Sequence, residues 1–407
     1  LKNRLNIIDK KNIYILSGSR TPMGSHGGVL ATIPAIQLGA IAIKSAIEKA
    51  KAINDDIETV IFGNVLSANL GQAPARQASM DAGLPENICA TTVNKVCASG
   101  MKAVSMLFND IYVGNCEIGV AGGMENMSQV PHYLPNARFG LGFGNSLLVD
   151  GLAKDGLTDV YNNTSMGVSG DKTAEKYNIS RETQDNFAEQ SYKKAANAWQ
   201  NGFFANEITS VIVPQRRGDS IEVNEDETYK KANFEKMRQL KPAFSTNGTV
   251  TAANASPMSD GASALVLASE AFVNTKNLKP LSRIIAYAEA EQDPMFFTTS
   301  PVLATQKVLE RANLTIGDID FFEVNEAFSV VPIAFMQMLD VDPEKVNVFG
   351  GAVAIGHPLG SSGSRIIVTL LNVLQSNNGK YGLATICNGG GGASSIIIEN
   401  LNYEQKS

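Results

Sequence analysis

The spacing of apolar residues changes several times along the chain, and each change marks an element. "NIYILSGSRTP" (12–22) runs β-branched and aromatic residues into Gly, Ser and Pro, which predicts a strand and then a turn. "PAIQLGAIAIKSAIEKA" (34–50) repeats Ile36, Ala40, Ile43 and Ile47 at helical spacing behind Pro34. "ETVIFGNV" (58–65) reads as a short buried strand. A helix is predicted over 98–110, and "SRETQDNFAEQSYKKAANAWQNGFF" reads as a charged amphipathic helix. Strands and helices in alternation point to a layered α/β fold.

The pattern also echoes itself. "CASGMKAVSMLFNDIYVGNCEIGVAGGMENMS" runs from a turn of small residues through a helix to a strand ending in Gly-Gly. "LGSSGSRIIVTLLNVLQSNNGKYGLATICNGGGG" does the same near the other end, with Ser362-Gly363 in the place of Ser99-Gly100. Two similarly built halves facing each other would produce such an echo. Between them, roughly 128–258, the texture is glycine-rich and charged.

Composition narrows the class. A chain of 407 residues is too long for one ordinary core, so two or three domains are expected. A net charge of −6 and a pI near 5.3 argue against general binding to nucleic acid or to an anionic membrane. No apolar run approaches the roughly 20 residues that span a bilayer. Four cysteines in so long a chain do not make a disulfide framework, which favours a reducing intracellular compartment. The basic opening "LKNRLNIIDKK" reads equally as the stump of a transit peptide or as a surface tail.

Candidate chemistry gathers in a few loops. Cys97 stands directly before the predicted helix, where free N–H groups and the helix dipole would lower its pKa. Small neighbours Ala98, Ser99 and Gly100 leave room for a substrate. His357, one of three histidines, lies between glycines in "GGAVAIGHPLGSSG" and could take a thiol proton; His26 and His132 read as surface residues. Cys387 precedes "NGGGG", whose accessible N–H groups suit an oxyanion. "VNEAFS" sets Asn325 and Glu326 after the strand "DIDFFEV". "TYKKANFEKMRQLKP" carries five cations against one glutamate, either a solvated face or a dock for phosphate groups.

Taken together, "NKVCASGMKA", "VNEAFS", "GGAVAIGHPLGSSG" and "CNGGGGASS" resemble the four active-site loops of the thiolases, in particular the short-chain acetoacetyl-CoA thiolases. "SGSRTPMGSHGG", "GNVLSANLGQAPARQ", "VAGGMENMS" and "NGTVTAANASPMSDGA" resemble that family as well, so the likeness runs from about residue 13 to 399. It implies two similar βαβαβαββ halves in a five-layer αβαβα core with an inserted loop domain. The corresponding division is an N-terminal half over 1–128 continued by 259–280, an insert over 129–258, and a C-terminal half over 281–407.

The resemblance also implies a reaction, the reversible Claisen condensation of two acetyl-CoA to acetoacetyl-CoA and CoA, with no cofactor needed for the chemistry. In it Cys97 resembles the nucleophile and His357 the base that activates it. Cys387 resembles the acid/base acting on the acetyl methyl, and Asn325 the residue that holds a water beside His357 in one oxyanion hole. The N–H groups of Cys97 and Gly389 resemble a second hole. Ser256 and Leu157 match the pantetheine channel, Lys231 and Lys236 the nucleotide end of coenzyme A, and Tyr192 a further coenzyme A-binding position. Residues 128–144 resemble a tetramerisation loop, so a homotetramer is expected. A potassium ion is expected at Tyr192, Ala252, Ala253, Ala255 and Val353, beside the coenzyme A channel.

Alternative readings are a degradative 3-ketoacyl-CoA thiolase of broader range, a Cys–His–Asn hydrolase, and a non-catalytic carrier of coenzyme A or lipid. The hydrolase leaves Cys387 unused, and a carrier would be expected to have lost the catalytic set. Cytosol and mitochondrion both remain open.

Overall fold

The computed structural model describes residues 11–404, so the basic opening of the chain lies largely outside the described residues. Nine main strands are β1 (Ile13–Arg20), β2 (Thr59–Gly63), β3 (Cys89–Val93), β4 (Ile118–Asn126), β5 (Ser259–Ser269), β6 (Ser282–Glu291), β7 (Phe321–Val324), β8 (Tyr381–Asn388) and β9 (Gly392–Asn400). The helices that matter below are α1 (Ala35–Ala50), α2 (Pro74–Asp81), α3 (Ser99–Val113), α4 (Met166–Lys176), α5 (Arg181–Gln200), α6 (Ser300–Ala312), α7 (Val330–Leu339) and α8 (Leu359–Ser376).

Strand order is β7-β8-β9-β6-β1-β5-β4-β2-β3. A short antiparallel contact of β1 with β6, at Tyr14–Arg283 and Ile15–Ser282, joins the two halves. Within each half the pairing repeats. β1 runs antiparallel to β5, β5 to β4, and β4 parallel to β2; β6, β9, β8 and β7 follow the same scheme.

Side-chain alternation separates the layers. On β5, Leu265 and Leu267 face the middle of the molecule, where Val104 and Leu107 of α3 meet Ile366 and Leu370 of α8. Val266 faces the other way, onto Leu38, Ile43 and Ile47 of α1. On β9, Ile396 and Ile398 point to the middle and Ile397 to an outer layer with Val302, Val308 and Phe335. Helices therefore cover both faces of both half-sheets, giving the αβαβα order. Strands buried on two faces carry apolar or small residues on both, which is why they lack strict alternation.

The Ser-Gly echo has a steric cause. A Cβ on Gly100 would lie 2.6 Å from Ser364 Oγ, and one on Gly363 would lie 2.5 Å from the Met101 nitrogen. Each glycine lets the opposite helix approach, so the two central helices meet at their N-terminal turns. Overfilling such a contact typically costs about 1–3 kcal/mol. α3 starts at Ser99, but α8 starts at Leu359, so the second pair lies inside the first turn and not at its start.

Residues 129–258 leave the sheet after β4 and return at β5, its neighbour. Arg20, fully buried at the end of β1, ties this segment down. Its guanidinium donates to Asp226 at 2.7 and 3.0 Å and its Nε donates to Glu207. Glu207 also accepts from Thr369 and Asn372 of α8, which gives those two buried side chains partners.

Candidate active site

The two central helices point their N-termini toward one end of the molecule, and the loops before them carry Cys97 and His357. Both residues line one cavity of about 480 Å³ whose wall is largely apolar. Leu157, Ser256, Phe328 and Met166 line it as well. Larger clefts of about 760 and 660 Å³ lie at 171–180 with 245–249 and, adjoining this cavity, beside Gly390; neither is lined by Cys97 or His357.

Cys97 is only 7% exposed. The sequence pattern leads one to expect a lowered thiol pKa at a helix start; the structure reverses that for the resting chain. Burial pushes Cys97 up to about 12, while N–H groups of Gly389 and of Cys97 itself pull it down. A helix terminus is worth about 0.3–2 kcal/mol, whereas full burial shifts a group by up to about 3–5 units of ~1.4 kcal/mol each. Desolvation wins. The same two N–H groups nevertheless face the sulfur, where negative charge would develop.

His357 is also buried, and burial with the nearby Arg365 cation lowers it to about 3. Its Nδ1 lies 2.6 Å from Ser362 Oγ, which lies 2.9 Å from the Pro358 carbonyl. A carbonyl can only accept, so the serine proton goes to Pro358 and Nδ1–H donates to Oγ. That leaves a bare Nε2, which has no hydrogen-bond partner among the described residues. It is a neutral imidazole with its basic lone pair free. Burial disfavours a lone charge on either group, but moving a proton from sulfur to imidazole creates an attracting pair, which offsets part of that penalty.

Cys387 ends β8 fully buried, and burial and the Cys97 sulfur push it well above the ordinary thiol range. Of the two thiols, Cys97 has the extra N–H donor from Gly389. Asn325 follows β7, its N–H bonded to the Thr385 carbonyl at 3.0 Å on the strand that carries Cys387. Its side-chain amide is buried with neither atom partnered among the described residues, as suits a group that holds a water or a substrate oxygen. Ser256 N–H donates to the Ala327 carbonyl at 3.0 Å, and His357 N–H donates to Ser259 Oγ at 3.1 Å. These bonds link the loops of Ser256, Asn325 and His357.

The other expected residues divide. Leu157 and Ser256 line the cavity; Lys231, Lys236 and Tyr192 do not. Lys231 pairs with Glu227 and reaches Ser25 Oγ at 3.4 Å, and Ser25 is on the cavity wall. Lys230 pairs with Glu225 and Arg238 with Glu189, so the basic run is partly neutralised by carboxylates outside it. Tyr192 lies on α5, in one apolar cluster with Ala253 and Val353.

Sequence reasoning missed several residues. His26 is exposed, as expected, but it also borders the cavity. Glu125, fully buried at the end of β4, accepts from the N–H groups of Val65, Leu66 and Gly360 at 3.0, 3.1 and 2.9 Å and from Asn64. It fastens the loop after β2 to the loop of His357, and burial raises it to about 7. The signal was present as one carboxylate inside the apolar run "IGVAGGMEN".

A buried thiol and a neutral imidazole on one cavity, a second buried thiol close to the first, and N–H donors toward the first sulfur are groups that suit cysteine acyl transfer, set in a duplicated αβαβα fold. Residues 13–271 match the thiolase N-terminal domain and residues 278–400 the thiolase C-terminal domain, and the chain belongs to the thiolase family. It is 54% identical over 390 residues to the acetyl-CoA acetyltransferase of Schizosaccharomyces pombe, covering 96% of this chain and 99% of that one. With a cytosolic acetyl-CoA acetyltransferase of Gibberella zeae the identity is 49%, covering 96% and 98%. The Acat5 thiolase of Ascaris suum in complex with coenzyme A superposes with a TM-score of 0.92 at 45% identity, covering 96% of this chain and all of that one. Among the described residues no helix is long and apolar enough to cross a membrane.

Proposed function

We propose that this chain is an acetyl-CoA C-acetyltransferase that joins two acetyl-CoA into acetoacetyl-CoA and CoA, and runs the reverse cleavage. The observation that carries the reading is the pairing of Cys97 and His357 on one cavity with Cys387 buried behind. The Cys97 sulfur attacks the thioester carbonyl carbon, its proton passes to His357 Nε2, and the departing CoA sulfur takes that proton. Acetyl-Cys97 remains. Cys387 gives its proton to the now neutral His357 and, as the thiolate, removes a methyl proton from the second acetyl-CoA; the resulting carbanion attacks the acetyl carbonyl and forms the new carbon–carbon bond. Collapse of the adduct re-forms the carbonyl and breaks the carbon–sulfur bond to Cys97, whose thiolate takes back the proton held on His357. The N–H groups of Gly389 and Cys97 suit the oxyanion of the adduct, and Asn325 with His357 suits the enolate oxygen; one such donor is worth about 2.7–4 kcal/mol.

Coenzyme A would lie along Leu157 and Ser256, with Lys231 and Lys236 toward its phosphates. The test is a coenzyme A-dependent cleavage assay over acetoacetyl-, 2-methylacetoacetyl- and longer 3-ketoacyl-CoA. Acetoacetyl-CoA is the expected preferred substrate; preference for the long chains would favour the broader degradative activity.

The insert over 129–258 would supply coenzyme A contacts and the contacts of a homotetramer. Support for the tetramer comes from the 128–144 loop, which leaves Phe139 and Phe143 at 89% and 112% exposure, and from Leu147 just beyond it at 78%. Apolar side chains clustered on a surface in this way mark an interface. The compartment proposed is a reducing one, cytosol or mitochondrion, in keeping with four free cysteines.

The residues expected around potassium fit such an ion. The carbonyls of Ala252, Ala253 and Val353 accept no main-chain hydrogen bond among the described residues. The Ala255–Phe328 bridge is made by the flanking groups Ser256, Ala327, Asn254 and Ser329, which leaves the Ala255 carbonyl free as well. The buried Glu326 carboxylate, bonded to Ser191 and to the Val353 N–H, lies close by and also acts on Tyr192. An all-oxygen set of this kind suits a hard cation. Replacing choline or sodium chloride by potassium chloride at constant ionic strength is expected to raise kcat/KM by about fivefold or more. Equal kinetics in the three salts would remove the ion from this account.

A further inference from the structure

The loop that carries Cys97 holds a valine where valine is disfavoured. Val96 has a φ of +48°, in the left-handed region that β-branched residues avoid. Its neighbours keep it there. Val96 N–H donates to Asn94 Oδ1 at 2.9 Å, Ser99 Oγ donates to the Val96 carbonyl at 2.6 Å, and Lys95 N–H donates to Ser99 Oγ at 2.8 Å. Glycine would take this turn without strain. What valine adds is its side chain.

That side chain stands between two cavities. One is the cavity of Cys97 and His357. The other, about 660 Å³, lies against Val65, Asn94, Tyr161 and Gly389–Gly390. Val96, Gly156 and Met166 line both. A Cβ on Gly389 would meet Met166 Cε at 3.2 Å and Val96 Cγ1 at 3.6 Å, so the two side chains flank the residue whose N–H faces the Cys97 sulfur. An acyl group on that sulfur therefore has Val96 and Met166 beside it, with open space beyond.

We propose that Val96 and Met166 are the partition that fixes how long an acyl chain the site takes, and that the second cavity is the room a longer 3-ketoacyl chain would occupy if they were removed. The proposal rests on the coenzyme A thioester reading above. Val96 and Met166 are the two side chains that the cavity walls share, with the backbone of Gly156, and in a hydrophobic pocket even a single methylene discriminates by about tenfold or more.

Val96→Gly removes the isopropyl group and relieves the backbone; Met166→Ala opens the wall from the other side without touching the Cys97 loop. For each variant, kcat/KM for cleavage of 3-ketooctanoyl-CoA and of acetoacetyl-CoA is measured, and octanoyl transfer from octanoyl-CoA to Cys97 is followed by mass spectrometry. The ratio of long to short substrate is expected to rise at least about tenfold in each variant, with octanoyl-Cys97 formed faster than in the wild type. An unchanged ratio, including an equal loss on both substrates, would overturn the partition. A wild-type enzyme that cleaves neither substrate would instead overturn the thioester reading, and the partition with it.

Discussion

Replacing Cys97 with serine is expected to abolish acetyl transfer, lowering kcat by about 10⁴-fold or more while the chain still folds. The serine hydroxyl is smaller than the thiol, so the 7%-exposed site accepts it without overpacking. It is also a far weaker acid, and the buried imidazole beside it is a weak base. Gly389 N–H would still point at the oxygen, but a donor cannot replace a nucleophile. Incubation of wild-type enzyme with acetyl-CoA should add a single acetyl group to the peptide containing Cys97, and the variant should show none. Acetyl found only on Cys387 would reverse the assignment. The pH dependence follows from the imidazole. His357 is lowered to about 3, so it stays unprotonated, and able to accept, as pH falls from 7 to 5. Acetylation of Cys97 should then show no acid limb from an imidazole in that interval; a limb near the ordinary histidine value of about 6.5 would show that His357 is far more solvated than its burial implies.

Much of this arrangement was legible in the chain. The helix over 34–50 and the strands at 12–22 and 58–65 appear at Ala35–Ala50, Ile13–Arg20 and Thr59–Gly63, because their signals are local. The echo of Ser99-Gly100 in Ser362-Gly363 reported a real contact between the two central helices, since close approach demands small residues on both. What stayed hidden depends on groups brought together from afar. Cys97 looked activated because its helix is visible in the sequence, whereas the burial that outweighs the helix comes from the far half of the chain. The basic run looked free because its carboxylates, Glu189, Glu225 and Glu227, lie outside the segment. Ser362 looked like one more small residue in a helix, although it sets which nitrogen of His357 carries the proton. Val96 is invisible for another reason: nothing in a sequence announces a positive φ at a valine.

Replacing Cys387 with alanine should separate the two halves of the reaction. Cys387 is fully buried and close enough to Cys97 for the two thiols to act on each other, so the variant loses a proton carrier and keeps the nucleophile with its Gly389 donor. Acetyl-Cys97 should still form from acetyl-CoA, and exchange of labelled CoA into acetyl-CoA should continue near the wild-type rate, because neither step breaks a C–H bond. Condensation should fall by about 10²–10⁴-fold, the usual worth of a positioned acid or base. Exchange of the acetyl methyl hydrogens with deuterated solvent should fall with it. His357→Ala should behave oppositely and slow the acetylation itself, since it removes the group that takes the Cys97 proton. Two thiols with the same job could be lost with the same consequence; two thiols with different jobs cannot. If Cys387→Ala condenses acetyl-CoA at a rate close to the wild type, the second thiol is a core residue and the methyl proton leaves by another group.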